Sequence, residues 1–352
     1  MEEDKAQIII PNLNPRFSGI TSTIIAVVPE QQKELDFAGV GYFIDKRIRH
    51  ISWREFFRLS SRPLKNGKNR IFHCRRNIEM VYGLIFKYIL RRKITLIFTS
   101  TAQRKHTWLT KFLYKRMDGL LTTSPRAASF LVRKPDAIIP HGTNPEIYFP
   151  IEDKRALRAE LGLENEHSIG IFGRVREQKG VREFVEAMCE ILPKHPEYNA
   201  VIVGQTTPKF VPFENEMKQL IKDAGLSSRF QWLGKVEFEK IPKLFRAMDL
   251  VCAVSRNEGF GLTCLEAMAS GVPVIATKTG GFDMVIREDS DGHIIPCNDA
   301  KALAKALDIS LSDPEKLRRM GKNSRERILS SFTISKEASA INAVYKKFLG
   351  LS

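Results

Sequence analysis

Long apolar runs and paired cysteines are both missing from this sequence of 352 residues. No apolar stretch approaches the ~18 residues of a membrane-spanning helix, and the acidic start MEEDKAQIII does not resemble a signal peptide. The five cysteines are scattered and form no CxxC pair. This pattern excludes a disulfide framework and predicts a reduced, cytosolic compartment. The sequence therefore predicts a globular protein that is neither secreted nor membrane-spanning.

Acidic residues are scarce in the first part of the chain. Residues 1–150 contain 26 Lys and Arg against 12 Asp and Glu, whereas residues 151–352 contain 30 and 28. Nearly all of the formal net charge of +16 is therefore in the first part. Such asymmetry indicates an anionic partner: nucleic acid, a phospholipid surface or a phosphorylated substrate. The alternative is a basic surface without a specific partner, since charge runs are weakly specific.

Short apolar runs alternate with longer amphipathic segments along the whole chain. In the first part, strands are expected at IFHCRRN, ITLIFTS, GLLTTS and AIIP, and helices at IEMVYGLIFKYILRR, TWLTKFLYKRM and PRAASFLVRK. After the proline-rich segment IIPHGTNPEIYFP, further strands are expected at SIGIFG, NAVIVG, RFQWLG, DLVCAVS and VPVIAT. The repeated change between strand and helix periods predicts βαβ units and parallel sheets.

This alternation predicts an α/β protein with two Rossmann-like, doubly wound domains that face each other across a cleft. We expect the first domain at residues 1–150 and the second at residues 151–332. The C-terminal helix, at about residues 333–352, is expected to pack back onto the first domain. Ligands of doubly wound sheets bind at the carboxyl ends of the strands, so the predicted cleft is the default site.

A glycine-rich turn with a carboxylate on each side follows the predicted strand DLVCAVS, in RNEGFGLTCLEAMAS. The amides of Gly261, Leu262 and Thr263 lie at a predicted helix start, where free amides and the helix dipole attract anions. Glu258 precedes them and Glu266 lies about one turn beyond. This spacing suits a diphosphate with a polyol at each end, with Glu258 on sugar hydroxyls and Glu266 on ribose hydroxyls. The alternative is that Glu258 caps the loop and Glu266 faces solvent.

Two further loops carry candidate anion-binding groups. Arg174 and Lys179, in GRVREQKG after the strand SIGIFG, can clamp a diphosphate as a planar fork and a mobile point charge. The alternative is a pair of solvated loop charges. Gly19 follows the strand QIII and precedes a helix, which indicates either a close approach of the backbone to a donor ligand or only a turn.

Three motifs resemble those of the retaining glycosyltransferases with the GT-B fold. NEGFGLTCLE is similar to the E-x7-E motif of that family, GRVREQKG to its G-R-x-x-x-x-K-G motif and IIPHGTNPEIYFP to its linker signature. They occur in the family order, and the resemblance covers most of residues 120–330. It implies that Arg174, Lys179 and Glu258 act at the reacting end of a nucleotide-sugar donor. Glu266 would bind the nucleotide end.

The first part of the chain resembles a narrower group. FHCRRNIEM and FTSTAQRKHTWLTKFLYKRMDGLLTTSPRAASFL look like lipopolysaccharide core mannosyltransferases of alphaproteobacterial type. These enzymes are understood to transfer mannose from GDP-mannose to a Kdo residue of the lipid A precursor. The resemblance implies a peripheral enzyme on the cytoplasmic face of the inner membrane, whose anionic surface suits the basic half. The candidate contacts with acceptor or membrane are Arg75, Arg76, Arg91, Arg92, Lys93, Arg104 and His106.

Some positions depart from the family pattern. The family often has a histidine near the reacting carbon, but here that place reads STAQRKH. His106 therefore comes several residues late, and Gln103 or Arg104 could take the position. His141 replaces the usual Asn of the linker signature and is interpreted as structural. Gly19 matches the N-terminal glycine turn of the family less closely.

The resemblance also implies a reaction. The sugar would be transferred with retention by front-face attack, and the leaving diphosphate would take the proton of the acceptor. Arg174, Lys179 and the helix-start amides would stabilise the departing charge. No cofactor is implied and no His/Cys cluster suggests a metal, so we expect activity without divalent cations.

Three alternatives stay open. A UDP-sugar donor with another anionic or lipid-linked acceptor would keep the fold and the reaction type. A nucleotide-sugar epimerase would keep the fold and change the chemistry. A nucleic-acid-binding protein would account for the net charge, but no recognised nucleic-acid-binding module is visible, and we expect no nucleic-acid partner.

Overall fold

The computed structural model describes residues 5–163 and 166–351, which form two compact units. The first unit ends at His141 and takes up the chain again at Ile334. The second unit is Gly142–Thr333. Within the described residues, no helix is both long and apolar enough to cross a membrane.

The linker explains why the first boundary lies before the predicted residue 150. Arg325 holds it to the second unit: its Nη1 donates to the Tyr148 carbonyl at 2.7 Å and its Nη2 to the Pro145 carbonyl at 3.1 Å. Tyr148 is buried in a hydrophobic core of that unit. The linker from Pro145 to Tyr148 therefore belongs to the second unit rather than to a free connection.

The first unit contains a seven-stranded parallel sheet with the order β3-β2-β1-β4-β5-β6-β7. Its central strands are buried along their whole length, because helices cover both faces of the sheet. The strands are β1 (Ile8–Asn12), β2 (Phe37–Gly41), β3 (Arg49–His50), β4 (Arg70–Cys74), β5 (Ile94–Ser100), β6 (Gly119–Thr122) and β7 (Ala137–Ile138).

The helices of the first unit form two layers. One layer includes the helices that connect β4 to β5 and β5 to β6, which lie on the same face because parallel crossovers are right-handed. The other layer includes α1 (Gly19–Gln31) and the C-terminal helix, Ile334–Leu349, which pack together through Gln31 and the buried Asn342. The remaining helices are α2 (Trp53–Leu59), α3 (Asn77–Leu84) with a π-helical turn (Ile85–Ile89), α4 (Trp108–Tyr114) and α5 (Pro125–Ser129).

The second unit contains a six-stranded parallel sheet with the order β10-β9-β8-β11-β12-β13. Its strands are β8 (His167–Phe172), β9 (Tyr198–Val203), β10 (Phe230–Gly234), β11 (Leu250–Ala253), β12 (Val274–Thr277) and β13 (Gly292–Ile295). Its helices are α6 (Lys154–Glu160), α7 (Val181–Ile191), α8 (Val211–Asp223), α9 (Ile241–Ala247), α10 (Leu262–Ala269), α11 (Phe282–Val285), α12 (Ala300–Leu311) and α13 (Pro314–Ser331). The prediction of two doubly wound α/β sheets is confirmed.

Candidate functional site

Except for Gly19, the predicted donor residues lie in the loops that follow β8 and β11 or in α10. The strand order reverses between β8 and β11, which pair directly, so the loops that follow these two strands are neighbours at the carboxyl edge. The loops are joined by two hydrogen bonds, from the Arg256 amide to the Gln178 carbonyl at 2.9 Å and from Gln178 Nε2 to the Asn257 carbonyl at 3.1 Å. Such a reversal is where doubly wound sheets bind ligands.

Lys179 and Glu258 form an ion pair across these two loops. Lys179 Nζ lies 2.5 Å from Glu258 Oε2, and the two side chains are 21% and 22% exposed. Glu258 is also held by the Ser255 hydroxyl at 3.4 Å and by the Gly259 amide at 3.1 Å, and its own amide donates to Thr279 Oγ1 at 3.3 Å. Because an ammonium carries three donors, Lys179 can hold Glu258 and an anion at once. Glu258 therefore does more than cap its loop.

Glycines bring the two loops close together. Gly180 has a left-handed φ of 75°, and a Cβ there would lie 2.0 Å from the Val254 carbonyl oxygen at the end of β11. The loop that carries Lys179 can therefore lie directly against the next strand only if residue 180 is glycine.

Arg174 is exposed, and no ion pair of it occurs among the described residues. It lines a cavity of about 280 Å³ together with Thr263 and Glu266. A guanidinium that is not engaged by a carboxylate is free to bind a phosphate in a bidentate manner. Arg174 is therefore more than a solvated loop charge, because it also lines this cavity.

The first turn of α10 is open to an anion. Its N-cap is Gly261, which has a φ of 98° and makes no side-chain capping bond. A Cβ at Gly261 would lie 2.1 Å from the ring of Phe282, so the close packing requires glycine. The amides of Leu262 and Thr263 are thus left without a side-chain cap at the positive end of the helix dipole. This geometry is the one that the sequence predicts for a phosphate site.

Glu266 is half-buried and lines the same cavity. Burial raises the pKa of Glu266 to about 7, and a hydrogen bond with the Tyr148 side chain opposes the rise. Burial of Tyr148 and the nearby Glu266 carboxyl raise the pKa of Tyr148. Apolar side chains form much of the remaining wall: Phe172, Val203, Val236, Ile241 and Phe245.

Two residues of this site are outside the predicted set. Tyr148 comes from the linker and is placed by an aromatic stack, since its ring lies 5.8 Å from that of Phe245, which lies 4.0 Å from Phe172. Lys235 follows β10 and lines the cavity. The aromatic residues of IIPHGTNPEIYFP were a usable signal for Tyr148, but only the strand order brings Lys235 near.

The first unit has its own strand reversal, between β1 and β4. The Arg76 side chain lies there and bonds residues of both adjoining loops. Its Nη1 donates to Asn12 Oδ1 at 2.7 Å and to Glu79 Oε1 at 2.9 Å. Its Nη2 donates to Ser18 Oγ at 2.9 Å and to Thr21 Oγ1 at 3.1 Å. Arg76 was predicted as a contact with acceptor or membrane, but a guanidinium held on four sides is a structural tie between two loops.

Arg75 is also inside the fold, with 7% of its surface exposed, so it does not suit a membrane surface. Its Nε and Nη2 are buried without a hydrogen-bond partner among the described residues. His73 lies nearby and bonds Tyr345 and Thr99, and burial with the Arg75 charge holds the pKa of His73 well below its usual value. A buried guanidinium with free N–H groups is suited to an anion.

Gly19 begins α1, but its backbone does not require glycine. A Cβ there would meet no atom within 4 Å, and the helix already has a side-chain cap, since Ser18 Oγ accepts from the Thr21 amide. A role of Gly19 in donor binding therefore stays a prediction.

The other candidate cations divide into exposed and packed ones. Arg91, Lys93 and Arg104 are exposed. Arg92 packs on Phe57, with its guanidinium 5.2 Å from the ring centre and a hydrogen bond of 3.2 Å to the Phe57 carbonyl. Only the exposed three are placed to meet a surface.

His106 lies after β5, with its Nε2 3.5 Å from the Ser100 hydroxyl and its ring 5.5 Å from that of Tyr114. Burial lowers the pKa of His106, so the neutral form is favoured at neutral pH. Gln103 bonds the Ser124 hydroxyl at 3.4 Å. His141 is buried and bonds Glu337 at 2.7 Å, a geometry that agrees with a structural role.

Among the described residues, no three or more His, Cys, Asp or Glu side chains are grouped so that they could hold a metal ion. The expectation of metal-independent activity stays a prediction.

Comparisons with known proteins find a matching family model and similar relatives. A family model described as glycosyl transferases group 1 matches residues 153–327. The lipopolysaccharide core biosynthesis mannosyltransferase LpcC of Rhizobium leguminosarum bv. viciae is 40% identical, over 98% of this chain and 97% of its own. The corresponding LpsB protein of Rhizobium meliloti (strain 1021) is 39% identical, over 97% and 98%.

Solved structures share the fold. HepE from Anabaena in complex with UDP matches with a TM-score of 0.83 and 20% identity, over 97% of this chain and 100% of that one. WaaG, a glycosyltransferase involved in lipopolysaccharide biosynthesis, matches with a TM-score of 0.68 and 15% identity, over 96% and 99%. The C-terminal domain of LpcC from Francisella tularensis is 34% identical with a TM-score of 0.53, over 55% of this chain and 99% of that one. The predicted GT-B fold is confirmed.

Proposed function

Because the chain belongs to the group 1 glycosyltransferases and is an enzyme of lipopolysaccharide core synthesis, we propose that it transfers mannose from GDP-mannose to a Kdo residue of the lipid A precursor. The observation that carries the proposal is the strand reversal between β8 and β11. There the exposed guanidinium of Arg174 and the uncapped first turn of α10 line one cavity with Glu266, and Glu258 lies in the loop that leads into α10. The reaction is proposed to retain the anomeric configuration.

The diphosphate of the donor binds in the centre of this arrangement. Arg174 supplies a planar fork, Lys179 a mobile charge, and the first amides of α10 supply fixed dipoles. All three lie where negative charge develops as the bond from the sugar to the diphosphate breaks. The leaving diphosphate takes the proton of the acceptor hydroxyl, so that no side chain has to become a covalent nucleophile.

The nucleoside end of the donor lies toward Glu266. When ionised, its carboxylate accepts hydrogen bonds from both ribose hydroxyls. The apolar wall formed by Phe172 and Phe245 excludes water beside it and strengthens these bonds. The hydrogen bond with the Tyr148 side chain orients the carboxyl.

The sugar end lies toward Glu258, which is fixed before substrate binds. Its contacts with Lys179, Ser255 and Gly259 restrict the carboxylate to one orientation. Such preorganisation lowers the entropic cost of positioning the sugar hydroxyls for attack.

The acceptor is proposed to be anionic and to bind in the first unit. The basic excess of residues 1–150 favours phosphates and carboxylates. Within that unit, Arg75 has buried N–H groups that an acceptor carboxylate would satisfy. We further propose that the enzyme works at the cytoplasmic face of the inner membrane, where a lipid-borne acceptor is available.

A donor screen tests this function. The purified enzyme is incubated with a Kdo-bearing lipid acceptor and GDP-mannose, UDP-glucose, UDP-galactose or UDP-GlcNAc, each with and without EDTA, and product is measured by mass spectrometry. We expect product from GDP-mannose alone, with the configuration retained by NMR. Transfer from a UDP-sugar would overturn the donor assignment, an inverted product would overturn the reaction, and loss of activity in EDTA would overturn metal independence.

A further inference from the structure

Two exposed phenylalanines meet at the carboxyl edge of the first sheet. Phe17 lies in the loop after β1 and is 55% exposed, and Phe43 lies in the loop after β2 and is 45% exposed. Their ring centres are 5.8 Å apart, and the ring planes are nearly perpendicular, at 87°. This edge-to-face arrangement is favourable, but large apolar side chains that support the fold are mostly buried. Packing of the protein alone therefore does not account for the pair.

The backbone holds the two loops together where they begin. The Tyr42 amide donates to the Asn12 carbonyl at 2.7 Å, and Asn12 Nδ2 donates to the Tyr42 carbonyl at 2.7 Å. Phe43 follows with a left-handed φ of 49°, which is unfavourable for a bulky side chain, and Ile44 then packs against a hydrophobic core. Backbone strain at an exposed aromatic residue indicates a role other than stabilising the fold.

The pair lies next to the loop that carries the buried Arg75. Arg76, the residue after it, donates from Nη2 to Ser18 Oγ at 2.9 Å, and Ser18 directly follows Phe17. Arg75 Nε and Nη2 have no hydrogen-bond partner among the described residues. These two nitrogens form one edge of the guanidinium, and such an edge binds a carboxylate in a bidentate manner.

The exposed charges of the two phenylalanine loops are positive. Arg16 precedes Phe17 and is exposed, and Lys46 is exposed in the loop after β2. Asp45 is the acidic residue of that loop, and it is paired with Arg47. The surroundings of the aromatic pair therefore favour an anionic ligand.

We propose that Phe17 and Phe43 form a platform for the pyranose ring of an acceptor sugar acid whose carboxylate binds Arg75. A pyranose carries hydroxyls around its rim and C–H groups on its faces, and these C–H groups are attracted to the negative face of an aromatic ring. The acyl chain of a lipid would contact the phenylalanines but leave the buried Arg75 edge unsatisfied. This role rests on the proposed function in one respect, since the acceptor of that function is a sugar acid.

Two contacts of different chemistry fix the orientation of the acceptor ring. The carboxylate on Arg75 sets one end of the sugar, and the aromatic pair sets which of its faces lies against the protein. Phe17 and Phe43 are therefore positioning residues for the acceptor. Their loss should raise the acceptor KM more than it lowers kcat, because the contact with the ring is already made before the bond to the donor breaks.

Saturation-transfer NMR on the full chain, without donor, tests the platform. The probe is a water-soluble Kdo methyl glycoside, and the aromatic protons of the protein are irradiated. In the wild type, we expect the ring C–H protons of one face of the sugar to receive more saturation than the methyl protons. Phe17→Ala and Phe43→Asn are each expected to weaken binding about fivefold, and Asn tolerates the left-handed φ at position 43. Phe17→Tyr and Phe43→Tyr keep the rings and should bind within about twofold of the wild type.

Two controls separate the aromatic contact from other effects. Tyr88→Ala removes an aromatic side chain that is 60% exposed, in the π-helical turn after α3, and should bind within about twofold of the wild type. The carboxamide of the same glycoside lacks the charge. Loss of either phenylalanine should weaken acid and carboxamide equally, whereas Arg75→Met should weaken only the acid. Circular dichroism checks that each variant is folded.

Steady-state kinetics with the same glycoside as acceptor gives the second readout. The acceptor KM should rise about fivefold in Phe17→Ala and Phe43→Asn, with kcat within about twofold of the wild type. A wild type without saturation of the glycoside, equal saturation in the wild type and both variants, or a wild-type dimer that Phe17→Ala dissociates would overturn the inference. Product formation with unchanged acceptor KM in both variants would overturn this inference alone. Saturation of the ring protons without product in the donor screen would overturn the proposed function alone.

Discussion

The two strand reversals of this protein have the same topology and opposite contents. At the reversal between β8 and β11, the helix that follows has a glycine cap, and Arg174 is exposed. At the reversal between β1 and β4, the helix has a serine cap, and Arg76 is held by four hydrogen bonds. The reversal between β8 and β11 can accept a diphosphate, whereas at the reversal between β1 and β4 the protein itself satisfies the Arg76 guanidinium. A doubly wound sheet supplies the place for a phosphate, but the loops decide whether the place is open.

Removal of Arg76 should show the structural character of the reversal between β1 and β4. Arg76→Met is expected to lower the free energy of unfolding by about 3–5 kcal/mol, because the fully buried Glu79 would lose its charge partner. Urea denaturation followed by circular dichroism measures the loss. The double variant Arg76→Met/Glu79→Gln should recover part of it, and an unchanged stability of Arg76→Met would show that the network is not a structural tie.

Removal of the cations at the reversal between β8 and β11 should lower turnover and leave the free energy of unfolding nearly unchanged. Arg174→Ala and Lys179→Ala are each expected to lower kcat by ~30- to 100-fold, since a charge-assisted contact contributes about 2–3 kcal/mol. Steady-state kinetics measures the effect, with Lys218→Ala, from an exposed ion pair, as the control. Near-wild-type kinetics of both variants would contradict the diphosphate clamp.

The two helix-start glycines should respond differently to alanine. Gly261→Ala is expected to cost about 1–3 kcal/mol of stability, because the new Cβ would meet the Phe282 ring at a left-handed φ. Gly19→Ala should change stability by less than about 1 kcal/mol, since its Cβ would lie in open space. Thermal unfolding compares the pair. Equal tolerance at both positions would mean that α10 can shift away from Phe282.

The raised pKa of Glu266 should make nucleotide binding at the reversal between β8 and β11 depend on pH. With the pKa raised to about 7, the carboxylate is mostly ionised at pH 8 and mostly protonated at pH 6. Affinity for GDP should therefore fall on acidification by up to about tenfold, as measured by calorimetry. Glu266→Gln should flatten this dependence. Tyr148→Phe should move its midpoint to higher pH, because the hydrogen bond that lowers the pKa is lost; an unmoved midpoint would contradict the role of Tyr148.

Part of the fold could be read from the sequence because its signals are local. ITLIFTS is β5 with the predicted ends, and the five strands expected in the second unit are all present with small shifts at the ends. β13 was missed because GHII is short and contains polar residues. The helix expected from residue 78 to residue 92 ends earlier and changes to a π-helical turn, which apolar spacing alone does not distinguish from an α-helix.

The site could be predicted where a motif lies within one loop. Gly261 and the helix start of α10 are readable in this way. The pairing of Lys179 with Glu258 and of Tyr148 with Glu266 joins distant parts of the chain, so it depends on strand order and linker packing. The role of Arg76 was missed for the same reason, since its partners follow a different strand.

A crystal structure of the chain with GDP would test the central claim most directly. We predict that the β-phosphate lies within about 3.5 Å of the Arg174 guanidinium and the amides that begin α10, with both ribose hydroxyls on Glu266. A diphosphate bound at the reversal between β1 and β4, or a nucleotide in the second unit that leaves Glu266 without a ribose contact, would contradict the account.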